Sequence, residues 1–172
     1  MTTLRWLCVA ALVAAPSAPA LTQEPQKPGP EHEILKKQVG TWDVTMKMMG
    51  QESKGSVTYK MDLGDLWLTS DFHCEVAGMK FQGRGMDSYN AIKKVYVGVW
   101  FDSMSTYPMT MEGTFDKSKK TLTMNGESLG PDGKMTKHKA VSEWKDDDTI
   151  LFSMFMADAK DPAFTILYKR KK

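Results

Sequence analysis

Cysteine is scarce in this sequence, which contains only Cys8 and Cys74. Cys8 lies in an apolar N-terminal stretch that we interpret below as a removable export signal. The mature chain then keeps only Cys74, and one cysteine cannot form an intramolecular disulfide. We therefore expect a hydrophobic core, and not disulfides, to hold the fold together.

The sequence also lacks a dominant charge of either sign. Its 23 Lys and Arg residues face 21 Asp and Glu residues, which gives a formal net charge of +2. Proteins that bind nucleic acid carry a basic patch or stripe. The basic run "KRKK" at 169–172 is interpreted as a solvated tail, so we expect no nucleic-acid partner.

Long hydrophobic runs are missing as well, and the longest apolar stretch stands at the N-terminus. It begins with one cation, Arg5, continues with an apolar run over 6–15, and ends in an A-x-A pattern at 18–20. The run is too short to span a membrane, and the pattern is typical of a cleavable export signal. We therefore expect a signal peptide over 1–20, no membrane span, and a periplasmic or secreted protein.

Catalytic motifs are absent from the sequence. It contains no G-x-S-x-G, no H-E-x-x-H and no phosphate-binding loop. Ser103 and Ser105 have no paired His nearby, and the acidic run at 146–148 reads as a hairpin turn. No catalytic residue is predicted, although the question of an enzyme stays open because triads assemble from distant positions.

The pattern that is present is an alternation of apolar and polar residues after Gly40. Four apolar side chains of "TWDVTMKM" (41–48) share one face, as in a β-strand that is buried on one side. Links rich in Gly, Pro, Asp and Asn, such as "DSYNAIKK" and "LGPDGK", separate such segments. The pattern predicts ten strands, at 41–48, 56–61, 66–76, 79–89, 94–101, 108–115, 120–127, 134–144, 149–157 and 163–170.

A short helix is predicted ahead of the first strand. Pro30 suits the first helical position, Lys36 suits the last turn, and Gly40 stops the helix. Residues 21–29 read as a flexible leader, so a single domain spans 30–172. Closing a ten-strand sheet removes its two edges. We therefore predict an all-β protein: an antiparallel up-and-down β-barrel of about ten strands, with the short N-terminal helix closing one end.

The sequence Gly40-Thr41-Trp42 after a short helix resembles the G-x-W signature of the lipocalin and fatty-acid-binding (calycin) superfamily. The resemblance implies that Trp42 lies at the closed end of the barrel. It also implies that a basic residue of a late strand, Arg170 or Lys169, packs over the indole. Such a contact contributes about 0.5–2 kcal/mol.

Several longer stretches resemble a bacterial family catalogued as a domain of unknown function, number 1579. The resemblance covers nearly all of residues 30–172 and implies no established activity. The stretches are "PEHEILKKQVGTWDV", "KGSVTYKMDLGDLWLTSDF", "FQGRGMDSYNAIKKVYVGVWFDSMST", "MEGTFDKSKKTLTMNGE" and "SEWKDDDTILFSMF".

Methionine is unusually frequent, with 14 residues, and three pairs stand two residues apart on predicted strands. The side chains of such a pair share one face. Three interpretations stay open: a deformable lining for an apolar ligand, inert core packing, or a soft Cu(I) or Ag(I) site built from thioethers. The pairs are Met46/Met48, Met109/Met111 and Met154/Met156.

Arg84 is flanked by Gly83 and Gly85, which indicates a bend or a close approach of the backbone. In one interpretation Arg84 or Gln82 anchors a carboxylate inside the barrel, as the resemblance to fatty-acid-binding proteins implies. In the other, Arg84 points outward beside a kink in the strand.

His73 raises the question of a metal or haem site. Asp71, His73 and Glu75 share one predicted face, whereas Cys74 points to the other. We interpret the first face as solvated, with a weak cation site or a haem-binding His73 as alternatives. Neither a metal site nor a cofactor is predicted.

Together these patterns predict a barrel that binds a small apolar or amphipathic molecule. The alternatives are a haem- or soft-metal-binding barrel and a structural or partner-binding envelope protein with a filled core. The strand at 94–101 is apolar on both faces, so one face is expected outside, where it offers a homodimer contact. The predicted ligand-binding residues are Trp42, Val44, Met46, Met48, Tyr59, Phe72, Phe81, Arg84, Trp100, Met109, Met111, Phe152 and Met154.

Overall fold

The structure is a computed structural model that describes residues 25–76, 78–130 and 132–172. The expected signal peptide over 1–20, and the leader up to residue 24, lie outside the described residues. No helix in the described part of the chain has the length and apolar character needed to cross a membrane. The strands are β1 (Gly40–Met48), β2 (Gln51–Asp62), β3 (Trp67–Val76), β4 (Met79–Asn90), β5 (Val95–Asp102), β6 (Met109–Asp116), β7 (Thr121–Leu129), β8 (Met135–Asp146), β9 (Thr149–Met156) and β10 (Phe164–Arg170).

These ten strands form a closed antiparallel barrel. Each strand pairs with the next one in sequence, and β10 returns to pair with β1. At this seam Trp42 lies opposite Arg170, and Met48 lies opposite Phe164. Closure gives every strand a neighbour on both sides, which removes the exposed edges of an open sheet. The predicted all-β up-and-down barrel is confirmed.

β2 begins at Gln51, five residues before the predicted start at 56. The early segment "QESKGS" is polar on both faces, so it carries no alternation that the sequence analysis could detect. Met49 and Gly50 have positive φ angles of 51° and 77°, as a tight two-residue hairpin turn requires. The turn places Gln51 opposite Met48, so strand pairing and turn geometry extend β2.

The helical segment before β1 is shorter than predicted. A 3-10 turn over Pro30–His32 leads into one α-helical turn, α1 (Glu33–Lys36). The chain then bends into β1, where Gly40 adopts a φ of 125° that favours glycine. The hydroxyl of Tyr96 on β5 donates to the carbonyl of Glu31 at 3.0 Å. This bond fastens the helical segment across one end of the barrel, as predicted.

Trp42 forms the floor at this closed end. Its side chain is fully buried, and its indole N–H donates to the carbonyl of Gln38 at 2.8 Å. The guanidinium of Arg170 lies 4.1 Å from the centroid of the Trp42 ring and donates to the carbonyls of Val39 at 2.7 Å and Lys37 at 2.6 Å. The implied packing of a late-strand arginine over Trp42 is therefore confirmed.

β5 shows which of its two apolar faces points inward. Tyr96 is buried, and Trp100 lines the interior. Phe101, on the opposite face, is 50% exposed. The outer surface of the barrel therefore carries an aromatic side chain beside β4.

Candidate functional site

The interior of the barrel contains a cavity of about 470 Å³, within the range of roughly 300–1,000 Å³ that is typical of small-molecule sites. It reaches the surface at the end opposite α1. There it is bordered by Met104, Tyr107, Leu129 and Met156, which are 70%, 43%, 42% and 40% exposed. We call this opening, formed by these four residues, the mouth. The barrel is thus hollow, with one plugged end and one open end.

The cavity gathers most of the residues that the alternation predicted to bind a ligand. Ten of those thirteen residues line it, and they come from β1, β2, β3, β4, β5, β6, β9. The ten are Met46, Met48, Tyr59, Phe72, Phe81, Trp100, Met109, Met111, Phe152 and Met154.

Three of the predicted residues do not line the cavity. Trp42 and Val44 are at most 1% exposed, and they belong to the packed core of the closed end. Arg84 lies outside the barrel, because Phe81 and the glycines of β4 take the inward positions of the pleat. Its side chain is 75% exposed, and its guanidinium is 3.6 Å from the carboxylate of Asp71. The interpretation of Arg84 as an internal carboxylate anchor is therefore wrong.

The two glycines that flank Arg84 make room for Trp100. Its indole packs against Gly83 and Gly85, in the space that their Cβ atoms would need. The indole N–H donates to the carboxylate of Asp102 at 3.0 Å. The Gly-Arg-Gly sequence thus marks an internal aromatic contact.

Asp87 is an acidic residue of the cavity that the sequence analysis missed: it falls inside the predicted strand 79–89, but it also begins the segment "DSYNAIKK", which was interpreted as a link. β4 instead continues to Asn90, and Asp87 lies opposite Gly98 on β5. Its carboxylate enters the space that a Cβ on Gly98 would fill, and it lines the cavity. The alternation 81, 83, 85, 87 within the predicted strand already indicated this inward position.

Burial raises the pKa of Asp87 to about 7. Burial alone accounts for this shift, and no group in the described part of the chain donates a hydrogen bond to the carboxylate or forms an ion pair with it. Tyr59 and Tyr168 lie close enough to Asp87 for its charge to affect the pKa values of their phenols. Burial is the main cause of the raised pKa of each phenol, and the charge of Asp87 adds to it.

A second polar group lies closer to the mouth, where the imidazole of His138 is buried. Its Nε2 is 2.6 Å from the hydroxyl of Ser128, and its Nδ1 is 3.2 Å from the sulfur of Met156. Burial lowers the pKa of His138. The neutral imidazole is therefore favoured, with both nitrogens engaged by protein atoms.

Methionine dominates the rest of the lining. All three pairs predicted from the sequence face the cavity, and thioether side chains are flexible and polarisable. The lining methionines are Met46, Met48, Met104, Met109, Met111, Met124, Met154 and Met156.

The outer face of the barrel that carries His73 does not have the arrangement of side chains that a cation site needs. His73 Nε2 is 3.1 Å from Asp71, and the same carboxylate faces the cation of Arg84. His73 is about half exposed, outside the cavity. Within the described residues, no group of three or more His, Cys, Asp or Glu side chains is placed to hold a metal ion.

A model of the family described as "Protein of unknown function (DUF1579)" matches residues 27–170 of the chain. The match spans the helical segment and all ten strands. No curated protein matches.

Among solved structures, a redesigned β-barrel has a TM-score of 0.45 and 14% identity, over 81% of this chain and 96% of that one. The redesigned β-barrel mFAP1, bound to DFHBI, has a TM-score of 0.45 and 16% identity, over 80% of this chain and 98% of that one.

Proposed function

The chain belongs to the DUF1579 family of proteins of unknown function, and we propose that it binds a small apolar or amphipathic molecule inside its barrel. The observation that carries the proposal is the cavity of about 470 Å³ with its lining of methionine and aromatic side chains. A protein that needed its interior only for stability would fill it, because close packing stabilises cores.

The energetics of such binding are moderate. Burying roughly 300 Å² of apolar ligand surface at about 25 cal/mol per Å² contributes about 7 kcal/mol. The lost translational and rotational freedom of the ligand offsets several kcal/mol of this gain. Micromolar or weaker affinity is therefore expected for a purely apolar ligand.

The test is to fill the cavity and leave the barrel intact. Ala140 on β8 is buried and lines the cavity, so Ala140→Phe projects a ring into the binding space. The neighbouring Val141 lies on the opposite face of the strand, and Val141→Phe is the matched control. Binding is measured by titration with the neutral fluorescent dye Nile red, and folding is checked by thermal denaturation.

We expect the wild-type protein and Val141→Phe to bind the dye, with at least about tenfold weaker binding for Ala140→Phe. Equal binding by a folded Ala140→Phe variant would place the dye outside the barrel and refute the proposal. A wild-type protein that binds no dye also contradicts it.

Export is part of the same proposal. Its support is the sequence pattern of residues 1–20, a cation followed by an apolar run and a small-residue cleavage pattern. N-terminal sequencing of the protein isolated from its host tests it. A mature N-terminus just after Ala20 is expected, whereas a mature chain that still begins with the first 20 residues contradicts it.

A further inference from the structure

We propose that the cavity selects ligands that carry a protonated amine, and that the carboxylate of Asp87 accepts the hydrogen bonds of that ammonium group. This inference deepens the proposed function and rests on it, because it assigns a chemical class to the ligand of the same cavity.

The first argument is the charge inside the barrel. None of the described residues that line the cavity is a lysine or arginine, so a ligand carboxylate finds no cation there. Asp87 supplies a carboxylate to which no described group donates a hydrogen bond. The side chain of Asp87 is partly exposed, and it lines the cavity. A carboxylate among apolar side chains without a partner costs free energy, and an ammonium ion is the partner that recovers that cost through charge-assisted hydrogen bonds.

The second argument is that the barrel makes space for this carboxylate. Asp87 lies opposite Gly98, and its oxygen enters the volume that a side chain at Gly98 would occupy. An inward asparagine or leucine in place of Asp87 would fit an apolar ligand equally well. The acid therefore distinguishes this cavity from a simple apolar one.

The other ionisable groups of the cavity already have protein partners. Asp102 accepts hydrogen bonds from the indole of Trp100 and the amide of Met104, at 3.0 and 2.9 Å. His138 is engaged by Ser128 and Met156. Asp87 is thus the acidic group that remains available to a ligand.

The aromatic lining suits a cation as well. Phe72 packs edge to face with both Phe81 and Trp100, with centroids 5.9 Å apart in each pair. The face of an aromatic ring attracts an ammonium group, and thioethers are polarisable. An amine that passes from the mouth to Asp87 therefore meets favourable groups on its way.

The experiment compares three ligands that share an eight-carbon chain and differ in the head group: octylamine, octan-1-ol and octanoate. Their affinities are measured by displacement of Nile red and by calorimetry at pH 8, where Asp87 is mostly ionised and octylamine is protonated. We expect octylamine to bind about tenfold or more tightly than octan-1-ol, with octanoate the weakest, since hydrogen bonds to charged groups are the stronger ones.

Asp87→Asn tests the residue, and Asp43→Asn, which changes an exposed aspartate on the outer face of β1, is the matched control. Asp87→Asn is expected to lose the preference for octylamine over octan-1-ol, measured as the ratio of the two affinities within the same variant. Asp43→Asn is expected to retain the preference.

Three outcomes overturn the inference, and they differ in what they say about the proposed function. Equal binding of octylamine and octan-1-ol by the wild type, or a preference that survives in Asp87→Asn, refutes the amine site and leaves the ligand-binding barrel standing. A failure of Nile red and all three ligands to bind refutes both proposals.

Discussion

The plugged end and the mouth of the barrel are built differently. At the plugged end, Trp42 and Leu35 are at most 1% exposed, and the guanidinium of Arg170 lies over the Trp42 ring. The mouth is bordered by a loop at 103–108 and by side chains such as Met104, which is 70% exposed. Tight packing at one end and loose packing at the other separate the part that holds the fold from the part through which the proposed ligand would enter.

The largest expected difference between the two ends is in stability. Trp42→Ala at the plugged end is expected to lower the free energy of unfolding by about 3–5 kcal/mol, because it leaves a large cavity in the core. Met104→Ala at the mouth is expected to change it by at most about 0.5 kcal/mol. Urea denaturation of both variants measures these changes. Similar losses from the two variants would contradict the division between the ends.

The pH dependence of stability is expected to be the next largest effect. The ordinary pKa of this carboxyl is 3.8, and burial raises the pKa of Asp87 in the folded protein to about 7. The folded chain therefore holds this proton more tightly than the unfolded chain. The contribution of Asp87 to stability falls as the pH rises from about 4 to about 7 and stays low above that.

Asp87→Asn removes this dependence. The variant is expected to be more stable than the wild type at pH 8 by about 2–4 kcal/mol, with little difference at pH 4. Urea denaturation at both pH values measures it, with Asp43→Asn as the control. Identical profiles for Asp87→Asn and the wild type would show that Asp87 does not titrate in this range.

A smaller effect is expected at the seam of the plugged end. Arg170→Lys keeps the positive charge but loses the planar fork that reaches the carbonyls of Lys37 and Val39. We expect a loss of about 1–2 kcal/mol in the free energy of unfolding. Lys169→Gln, on the exposed neighbour, is expected to change it by at most about 0.5 kcal/mol. Equal effects of the two variants would assign no special role to the arginine.

The smallest effect in stability is expected inside the open half of the cavity. The double variant Met48→Leu/Met156→Leu conserves volume and polarity, so the free energy of unfolding is expected to change by less than about 1.5 kcal/mol. Branched leucines adapt less readily than methionines, so the affinities for octan-1-ol and the bulkier Nile red are expected to diverge by a few fold. Unchanged relative affinities would show that methionine flexibility has no part in binding.

The strands could be predicted because apolar and polar residues alternate along most of them. Trp42 and Arg170 are identified by a short motif and by their positions near the two ends of the barrel sequence. The start of β2 was missed, because a strand that is polar on both faces leaves no pattern to detect.

The polar content of the cavity was harder to predict. Arg84 was included among the predicted ligand-binding residues by analogy, although the outward alternative was left open and the inward position of Phe81 supported it. Asp87 was missed, because aspartate beside Ser and Asn is typical of a turn. Its inward position follows from the alternation of β4, whereas its isolation depends on neighbours from β5 and other strands, which a linear sequence does not bring together.

The seam between β1 and β10 has a consequence for the order in which the molecule assembles. It joins residues as distant as Trp42 and Arg170, so it cannot form until the final strand has been synthesised. Until then β1 and β9 each present an unpaired edge, and such edges are the sites at which chains associate wrongly. Long-range pairing of this kind also slows folding. The seven-residue strand β10 therefore determines when a nascent chain loses its unpaired strand edges, and with them its tendency to aggregate.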